Sequence, residues 1–137
     1  MDIHRYNLDG SGLTRFFGDL EARIMEAVWQ GGVVTIRDIC AALGPASHYK
    51  TVMTVTNRLV EKGLLLRERT GERAHLYCAA IGREAFLAQV TSSIANGLLG
   101  DFGRQALAEF VSAAGKVDPA YLDELERLLR ERKEEGG

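Results

Sequence analysis

Cysteine is scarce in this sequence, and its scarcity excludes two kinds of small-domain architecture. Cys40 and Cys78 are the only two among 137 residues. They are too few for a disulfide scaffold and too far apart for a CxxC metal knuckle. Free cysteine is among the most buried residue types, so we expect both to be small buried apolar residues.

Long apolar runs and catalytic signatures are also absent. No run approaches the roughly 20 apolar residues of a membrane span, and the N-terminal MDIHRYNLDG lacks the basic-then-apolar layout of a signal peptide. There is no Gly-rich phosphate loop and no HExxH, and the three histidines, His4, His48 and His75, are scattered. These absences predict a cytoplasmic protein that is not an enzyme and uses no cofactor and no metal.

Charge is distributed unevenly along the chain. The formal net charge is −2, but residues 44–78 hold six Lys or Arg against three acidic residues. Residues 83–137 show the opposite balance, with seven basic against ten acidic residues. A local basic patch attracts phosphate even when the whole chain is slightly acidic, so the distribution points to nucleic acid.

Three segments between residues 18 and 63 have helical patterns. The first is capped by Asp19 and runs to about Gly31, and the second is capped by Thr35 and ends at Gly44-Pro45. Between them, VVT reads as a short β segment. The third helix is YKTVMTVTNRLVEKG, which stops at its final glycine.

Two short strands follow the third helix. LLLRERT and AHLYCAA flank a glycine-containing turn, and this pattern predicts a β-hairpin over residues 64–78. Helix, strand, helix, helix and hairpin in this order are typical of a winged helix-turn-helix, which we place at residues 18–81. Residues 1–17 are irregular with scattered apolar anchors, and we interpret them as an arm that packs on the protein.

The remainder, residues 82–137, is predicted to be helical, so the fold class is mainly α with a small β-hairpin. NGLLGDFG interrupts the apolar periodicity, and Asp118 with Pro119 opens a last helix. Three amphipathic helices without a sheet need a partner surface, and a second copy of the chain is the simplest one. The residues predicted at this dimer interface are Phe110, Val111, Leu122, Leu125, Leu128 and Leu129.

The third helix has unusually many β-branched residues for a helix. On a helical wheel its valines and Leu59 form one face, with Thr56 on the core side, and short polar side chains form the other. Short hydroxyls, an amide and a thioether suit close approach to a major groove, where they can contact base edges or a thymine methyl. The residues predicted to read bases are Lys50, Met53, Thr54 and Asn57.

Cationic and hydroxyl side chains flank this face. From the end of the helix and from the hairpin they can reach sugar-phosphate on either side of the groove, which fixes register without reading sequence. The residues predicted to contact the DNA backbone are Thr51, Arg58, Arg67, Arg69 and Arg73.

The segments GDLEARIMEAVWQGGVVTIRDICAAL, YKTVMTVTNRLVEKGLLLRERTGERAHLY and DPAYLDELERLLRE resemble the penicillinase-repressor family of bacterial transcription regulators, which includes β-lactamase, methicillin-resistance and copper-responsive repressors. The resemblance runs from about Gly18 to Leu129 and is strongest over the winged helix. It implies a homodimer, joined through its C-terminal helices, that sits on an inverted-repeat operator and blocks transcription. The family's base-reading positions fall on Lys50, Met53 and Thr54.

The sequence departs from that family at three places. Staphylococcal members have Arg where this chain has Met53, so a different operator sequence is expected. Copper-sensing members end in a Cys-rich metal site that this sequence lacks. Antibiotic-responsive members are inactivated by cleavage before a Phe that aligns with Phe110, and the staphylococcal residue before that Phe is Asn, whereas here it is Glu109. The corresponding bond is Glu109–Phe110, and an inactivating protease or sensor pathway is a candidate partner.

Two alternatives use the same residues differently. In the first, the protein is a redox- or metal-responsive regulator in which Cys40, Cys78 or the histidines switch DNA binding. In the second, the winged helix binds a protein instead of DNA. The polar face of the third helix and the basic hairpin favour DNA over the second alternative.

Overall fold

Five α-helices and one antiparallel hairpin make up the part of the chain, residues 6–71 and 74–136, that this computed structural model describes. The helices are α1 (Asp19–Gly31), α2 (Ile36–Leu43), α3 (Tyr49–Glu61), α4 (Arg83–Val117) and α5 (Ala120–Glu135), and the strands are β1 (Leu65–Thr70) and β2 (Ala74–Ala79). A 3-10 turn, Gly12–Arg15, precedes α1. The chain forms two compact units that divide within α4, after Val90.

The first unit has the predicted order of helices and strands of a winged helix-turn-helix, including the short β segment between α1 and α2. The Val34 amide donates to the Tyr77 carbonyl at 2.9 Å, and the Tyr77 amide donates back at 2.7 Å, so Val34 adds one rung to the hairpin. The hairpin itself pairs Leu65 with Ala79 through to Thr70 with Ala74. The prediction of a helical fold with a small hairpin is confirmed.

Helix starts follow the sequence closely, with one shift. Thr35 caps α2 as predicted, because its hydroxyl accepts from the Asp38 amide at 3.1 Å and the Asp38 carboxylate accepts from the Thr35 amide at 2.9 Å. Asp19, however, is the first residue of α1, and Gly18 is the cap. The reason is that Glu21 reaches back and accepts from the Gly18 amide at 3.2 Å.

The core of the first unit lies between α1, α2, α3 and the hairpin and extends under the first turns of α4. Phe86 of α4 is fully buried and touches three aromatic rings: Phe17 at 5.3 Å, Trp29 at 5.6 Å and Phe16 at 6.1 Å between centroids. Trp29 also donates from Nε1 to the Ile81 carbonyl at 2.9 Å. The described part of the N-terminal arm thus packs on the first turns of α4.

The second unit consists of the rest of α4 together with α5. Within α4 the predicted interruption at NGLLGDFG is confined to Gly103, whose φ of 43° and ψ of −111° break the helix. Gly97 and Gly100 remain helical. α5 begins at Ala120, one residue later than predicted, with the Asp118 carboxylate accepting from the Ala120 amide at 3.0 Å.

Candidate nucleic-acid interface

α3 presents the two faces that its sequence predicts. Val52, Thr56 and Leu59 are buried against the rest of the first unit. On the opposite side, Lys50, Thr51, Met53, Thr54 and Arg58 are exposed. The structure therefore brings five of the predicted DNA-contacting residues together on one solvent-facing surface, which is referred to below as the α3 outer face.

The preceding turn fixes where α3 begins. The Ser47 hydroxyl lies 2.8 Å from the Gly44 carbonyl and 3.2 Å from the Cys40 carbonyl, to which it donates. Arg23 of α1 donates to the Leu43 carbonyl at 2.7 Å and so ties the end of α2 to α1. These bonds satisfy carbonyls at the end of α2 and hold the helix-turn-helix angle.

The far end of α3 is fixed by a second set of contacts. Gly63 has a φ of +81°, a conformation that glycine adopts without steric cost, and it turns the chain from α3 into β1. Lys62 forms an ion pair with Glu21 of α1 at 2.9 Å. Lys62 is thereby partly neutralised and adds little to the positive charge of the α3 outer face.

The pKa of Glu21 reflects this pairing. Burial raises the pKa of the carboxyl, but the hydrogen bond and the charge of Lys62 lower it. The Gly18 amide and the charge of Arg58 act in the same direction as Lys62, and the net pKa lies below the ordinary value of 4.5. Glu21 is therefore ionised at neutral pH, and α1 and α3 are joined by a charged contact.

One side chain on the α3 outer face bonds to the backbone of its own helix. The Thr54 hydroxyl donates to the carbonyl oxygen of Lys50, one turn earlier, at 2.9 Å. Since the hydroxyl proton is engaged inside the helix, the Thr54 oxygen faces a ligand as a hydrogen-bond acceptor. The same two residues line a shallow groove on the flank of α3, together with Thr51, Val55 and Arg58.

The hairpin, referred to below as the wing, continues the positive surface. Leu65, Arg67 and Arg69 alternate along β1 and so share one side of the wing, with Tyr77 and His75 opposite them on β2. Leu65 and Tyr77 are buried, so this side is the one that faces the core and α3. Arg67, Arg69 and His75 therefore form a row that leads away from α3 toward the wing tip. Arg73 lies outside the described residues.

Asn57 stands apart from the other predicted base-reading residues. It is half-buried, and its Oδ1 accepts from Arg67 Nη1 at 2.8 Å and from the Tyr77 hydroxyl at 3.0 Å. Sequence reasoning placed Asn57 on the outer face because a helical wheel shows direction but not the strands that pack beside the helix. The side chain is directed to the wing.

The two cysteines proposed for a redox or metal switch are on separate elements, and His4 lies outside the described residues. Cys40, in α2, and Cys78, in β2, are half-buried free thiols, so the expectation that both are buried holds only in part. Within residues 6–71 and 74–136, no three His, Cys, Asp or Glu side chains cluster as metal ligands would. In the same part of the chain, no helix is both long and apolar enough to cross a bilayer.

The bond proposed for inactivating cleavage, Glu109–Phe110, lies inside helix α4. Both residues are exposed, and Glu109 accepts a hydrogen bond from Gln105 at 3.2 Å, one turn away. The backbone is helical on either side of the bond. Cleavage at this position would require local unfolding of α4.

The sequence is similar to those of other bacterial proteins. The sequence is 37% identical over 123 residues to the transcriptional regulator BlaI of Mycobacterium tuberculosis, with 87% of this chain and 86% of the relative covered. It is also 32% identical over 93 residues to an uncharacterized 16.5 kDa protein in the ptsI 3' region of Latilactobacillus sakei, covering 66% of this chain and 63% of that one.

A solved structure with a lower similarity is that of Bordetella bronchiseptica BpsR, described as regulated in its DNA binding by 6-hydroxynicotinic acid. The match has a TM-score of 0.44 and 21% identity over 86% of this chain and 76% of that one. The family model described as penicillinase repressor matches residues 17–131. The chain therefore belongs to the penicillinase repressor family and is a transcriptional regulator, not an enzyme.

Proposed function

We propose that the protein is a homodimeric repressor that binds an inverted-repeat operator, with α3 in the major groove and the wing on the DNA backbone. The observation that carries the proposal is the α3 outer face, where Lys50, Met53 and Thr54 are exposed together. The major groove of B-DNA admits one α-helix, and short side chains allow its backbone to approach the bases.

Each of these three side chains offers a different chemistry to a base edge. Lys50 can only donate and suits the O6 and N7 acceptors of guanine. The Thr54 oxygen accepts, since its proton is engaged by the Lys50 carbonyl, and suits an exocyclic amino group. Met53 offers an apolar contact to a thymine methyl. A good bidentate base contact is worth about 1–3 kcal/mol of discrimination, and single contacts of this kind are expected toward the lower end of that range.

The proposed backbone contacts surround this face. Thr51 and Arg58 lie beside it on α3, and Arg67 and Arg69 continue along the wing. Arg73 is assigned to the same group from the sequence alone. Contacts of this kind neutralise phosphates, release counterions and set the register of the helix in the groove.

The second unit supports assembly with a second copy. Within residues 91–136, Ala106 is the only buried residue, so this unit has almost no core of its own. Large apolar side chains are exposed instead, among them Phe102 at 63% and Val117 at 75%. Of the residues predicted at the dimer interface, Leu125 is half-buried and the others are exposed: Phe110, Val111, Leu122, Leu128 and Leu129.

A two-fold dimer would place two copies of α3 on half-sites of opposite direction, which is the geometry of an inverted repeat. The exposure of large apolar side chains in the second unit is unusual for a monomer, because soluble monomers rarely expose contiguous apolar patches larger than a few hundred Å². The function proposed here belongs in the cytoplasm, where a bacterial operator is accessible.

Selection of bound duplexes from a random pool tests the proposal. The expected outcome is an inverted repeat whose half-sites are bound by one protomer each, with a stoichiometry of two chains per duplex. A variant with both Lys50→Ala and Thr54→Ala should enrich no sequence, whereas Arg130→Ala, at an exposed position of the second unit, should enrich the parental repeat. Failure of the parent chain to enrich any sequence would reject the proposal.

A further inference from the structure

The amide of Asn57 joins α3 to both strands of the wing. Its Oδ1 accepts from Arg67 Nη1 on β1 at 2.8 Å and from the Tyr77 hydroxyl on β2 at 3.0 Å. An arginine side chain can only donate, so the atom that it contacts must be the amide oxygen, which fixes the orientation of the amide. A carbonyl oxygen has two lone pairs, and both are used here.

This arrangement is incompatible with the usual way in which asparagine reads DNA. Asparagine recognises adenine by accepting from N6 through its oxygen while donating to N7 through its nitrogen. The Asn57 oxygen would have to give up Arg67 or Tyr77 to do so. If it gave up Tyr77, the buried hydroxyl would lose its partner, and leaving a buried donor unsatisfied is unfavourable. If it gave up Arg67, the guanidinium would lose the contact that orders it.

We propose that Asn57 is a positioning residue that holds the Arg67 guanidinium toward the DNA backbone and that it does not read a base. The inference rests on the proposed function, in which α3 and the wing bind one duplex. Arg67 is exposed and carries a long flexible side chain, so ordering it on binding has an entropic cost. The contact with Asn57 fixes the Arg67 guanidinium through Nη1 before DNA binds, and the other N–H groups of the guanidinium are left to contact phosphate.

The second donor, Tyr77, makes Asn57 a rigid support. Tyr77 is 2% exposed, and its backbone exchanges two hydrogen bonds with Val34. It also lies directly opposite Arg67 in the hairpin register. The amide of Asn57 is therefore held by a strand that is anchored in the core, and the distance between α3 and the Arg67 guanidinium is set before DNA binds.

A double-mutant cycle tests this assignment. Asn57→Ala, Arg67→Ala and the double variant are titrated with the selected operator and with a scrambled duplex at several salt concentrations. We expect Asn57→Ala to weaken binding to both duplexes by the same factor, about 2- to 10-fold, as expected for the loss of one pre-ordered side chain. In the Arg67→Ala background, Asn57→Ala should have no further effect on either duplex.

Salt dependence provides a readout that a purely structural role would not change. Arg67→Ala should reduce the slope of log K against log salt by about one unit, and Asn57→Ala should reduce it by part of that amount. Thr54→Ala is the matched control on the same helix. It should weaken operator binding only, leave the salt slope unchanged, and show its full effect in the Arg67→Ala background.

The opposite results would overturn the inference. A loss confined to the operator, additive with Arg67→Ala, would mean that Asn57 reads a base. Absence of binding by the parent chain would reject the proposed function itself, and is distinguished by the parent titration. If Asn57→Ala proves too unstable, the cycle is repeated with Tyr77→Phe in every chain, because that change removes the hydroxyl left without a partner.

Discussion

The Thr54 hydroxyl donates to the carbonyl oxygen of Lys50 at 2.9 Å, one turn earlier on the exposed side of α3. A threonine at a DNA surface can form hydrogen bonds through its hydroxyl and apolar contacts through its methyl group, and this bond affects only the hydroxyl. The hydroxyl oxygen is restricted to accepting, and the methyl group is available for apolar contact. Thr54 therefore offers DNA a hydrogen-bond acceptor, and the neighbouring Lys50 side chain offers only hydrogen-bond donors.

Replacing Thr54 by Ala is expected to lower operator affinity by about 1–3 kcal/mol while binding to a scrambled duplex is unchanged. Ala has a higher helix propensity than Thr, so the free energy of unfolding should stay the same or rise slightly. Titrations on both duplexes and thermal melts of the same preparation measure the two effects. Parental operator affinity in Thr54→Ala would show that the α3 outer face has been assigned wrongly.

Two further substitutions divide the contribution of Thr54 into its parts. Thr54→Val keeps a branched apolar side chain and removes the acceptor, and Thr54→Ser keeps the hydroxyl and removes the methyl group. If the acceptor dominates, Thr54→Val should bind the operator as weakly as Thr54→Ala, and Thr54→Ser should stay close to the parent. The reverse order would assign the discrimination to a thymine methyl contact.

Replacing Arg69 by Ala is expected to weaken binding to all duplexes by about the same factor. Arg69 lies opposite His75 on the same side of the wing as Arg67, and the proposed function assigns it a phosphate contact instead of a base contact. The slope of log K against log salt should fall by roughly one unit for the lost contact. We expect the same behaviour from Arg73→Ala. A loss specific to the operator at constant slope would contradict a phosphate contact.

Local sequence patterns predicted most of the first unit. Alternation in AHLYCAA predicted the strand, Thr35 predicted the start of α2, and the wheel of α3 separated Val52 and Leu59 from Lys50 and Thr54. These features depend on residues within about one turn or one strand of each other, so they are visible in a single sequence.

The features that the sequence did not predict depend on contacts over longer distances. Asn57 is 10 residues from Arg67 and 20 from Tyr77, and no local pattern indicates that the three side chains meet. The glycines of NGLLGDFG illustrate a different difficulty. Only Gly103 takes a positive φ, while Gly97 and Gly100 stay helical because isolated glycines weaken a helix without ending it.

Thr56 provides a test of core stability. Its side chain is fully buried on the inner face of α3, and its Oγ1 has no hydrogen-bond partner among the described residues. Thr56→Val removes this unsatisfied group at nearly constant shape, so the free energy of unfolding should rise by about 1 kcal/mol. Urea denaturation measures it, with Thr51→Val at an exposed position as control. A destabilised Thr56→Val would indicate that the hydroxyl does have a partner.

Replacing Leu129 by Asp is expected to dissociate the dimer. Leu129 is 57% exposed on α5 and is predicted to be covered by the second copy, where a carboxylate would be desolvated without a partner. Sedimentation at micromolar concentration should show a dimer for the parent and for the control Arg130→Asp, and a monomer for Leu129→Asp. Operator affinity should fall as well, because a monomer engages one half-site. A monomeric parent chain would reject the dimer.

The ion pair between Glu21 and Lys62 should make the free energy of unfolding depend on pH under acidic conditions. The pKa of Glu21 is lowered in the folded protein, so the carboxylate stabilises the fold above its ordinary pKa of 4.5. That contribution is lost as the pH falls through the lower pKa of the folded state. It should be small, about 1 kcal/mol or less, because Lys62 is substantially exposed.

Glu21→Gln isolates this contribution from the other carboxylates. Gln keeps an oxygen that can accept from the Gly18 amide but cannot pair with the Lys62 charge. The parent should be more stable than Glu21→Gln at neutral pH, and the difference should vanish once the pH has fallen below the lowered pKa of the folded state, where Glu21 is protonated in both the folded and the unfolded chain. Urea denaturation at stepped pH values measures this difference. A constant difference from neutral pH to acid would mean that Glu21 acts through its hydrogen bonds and not through its charge.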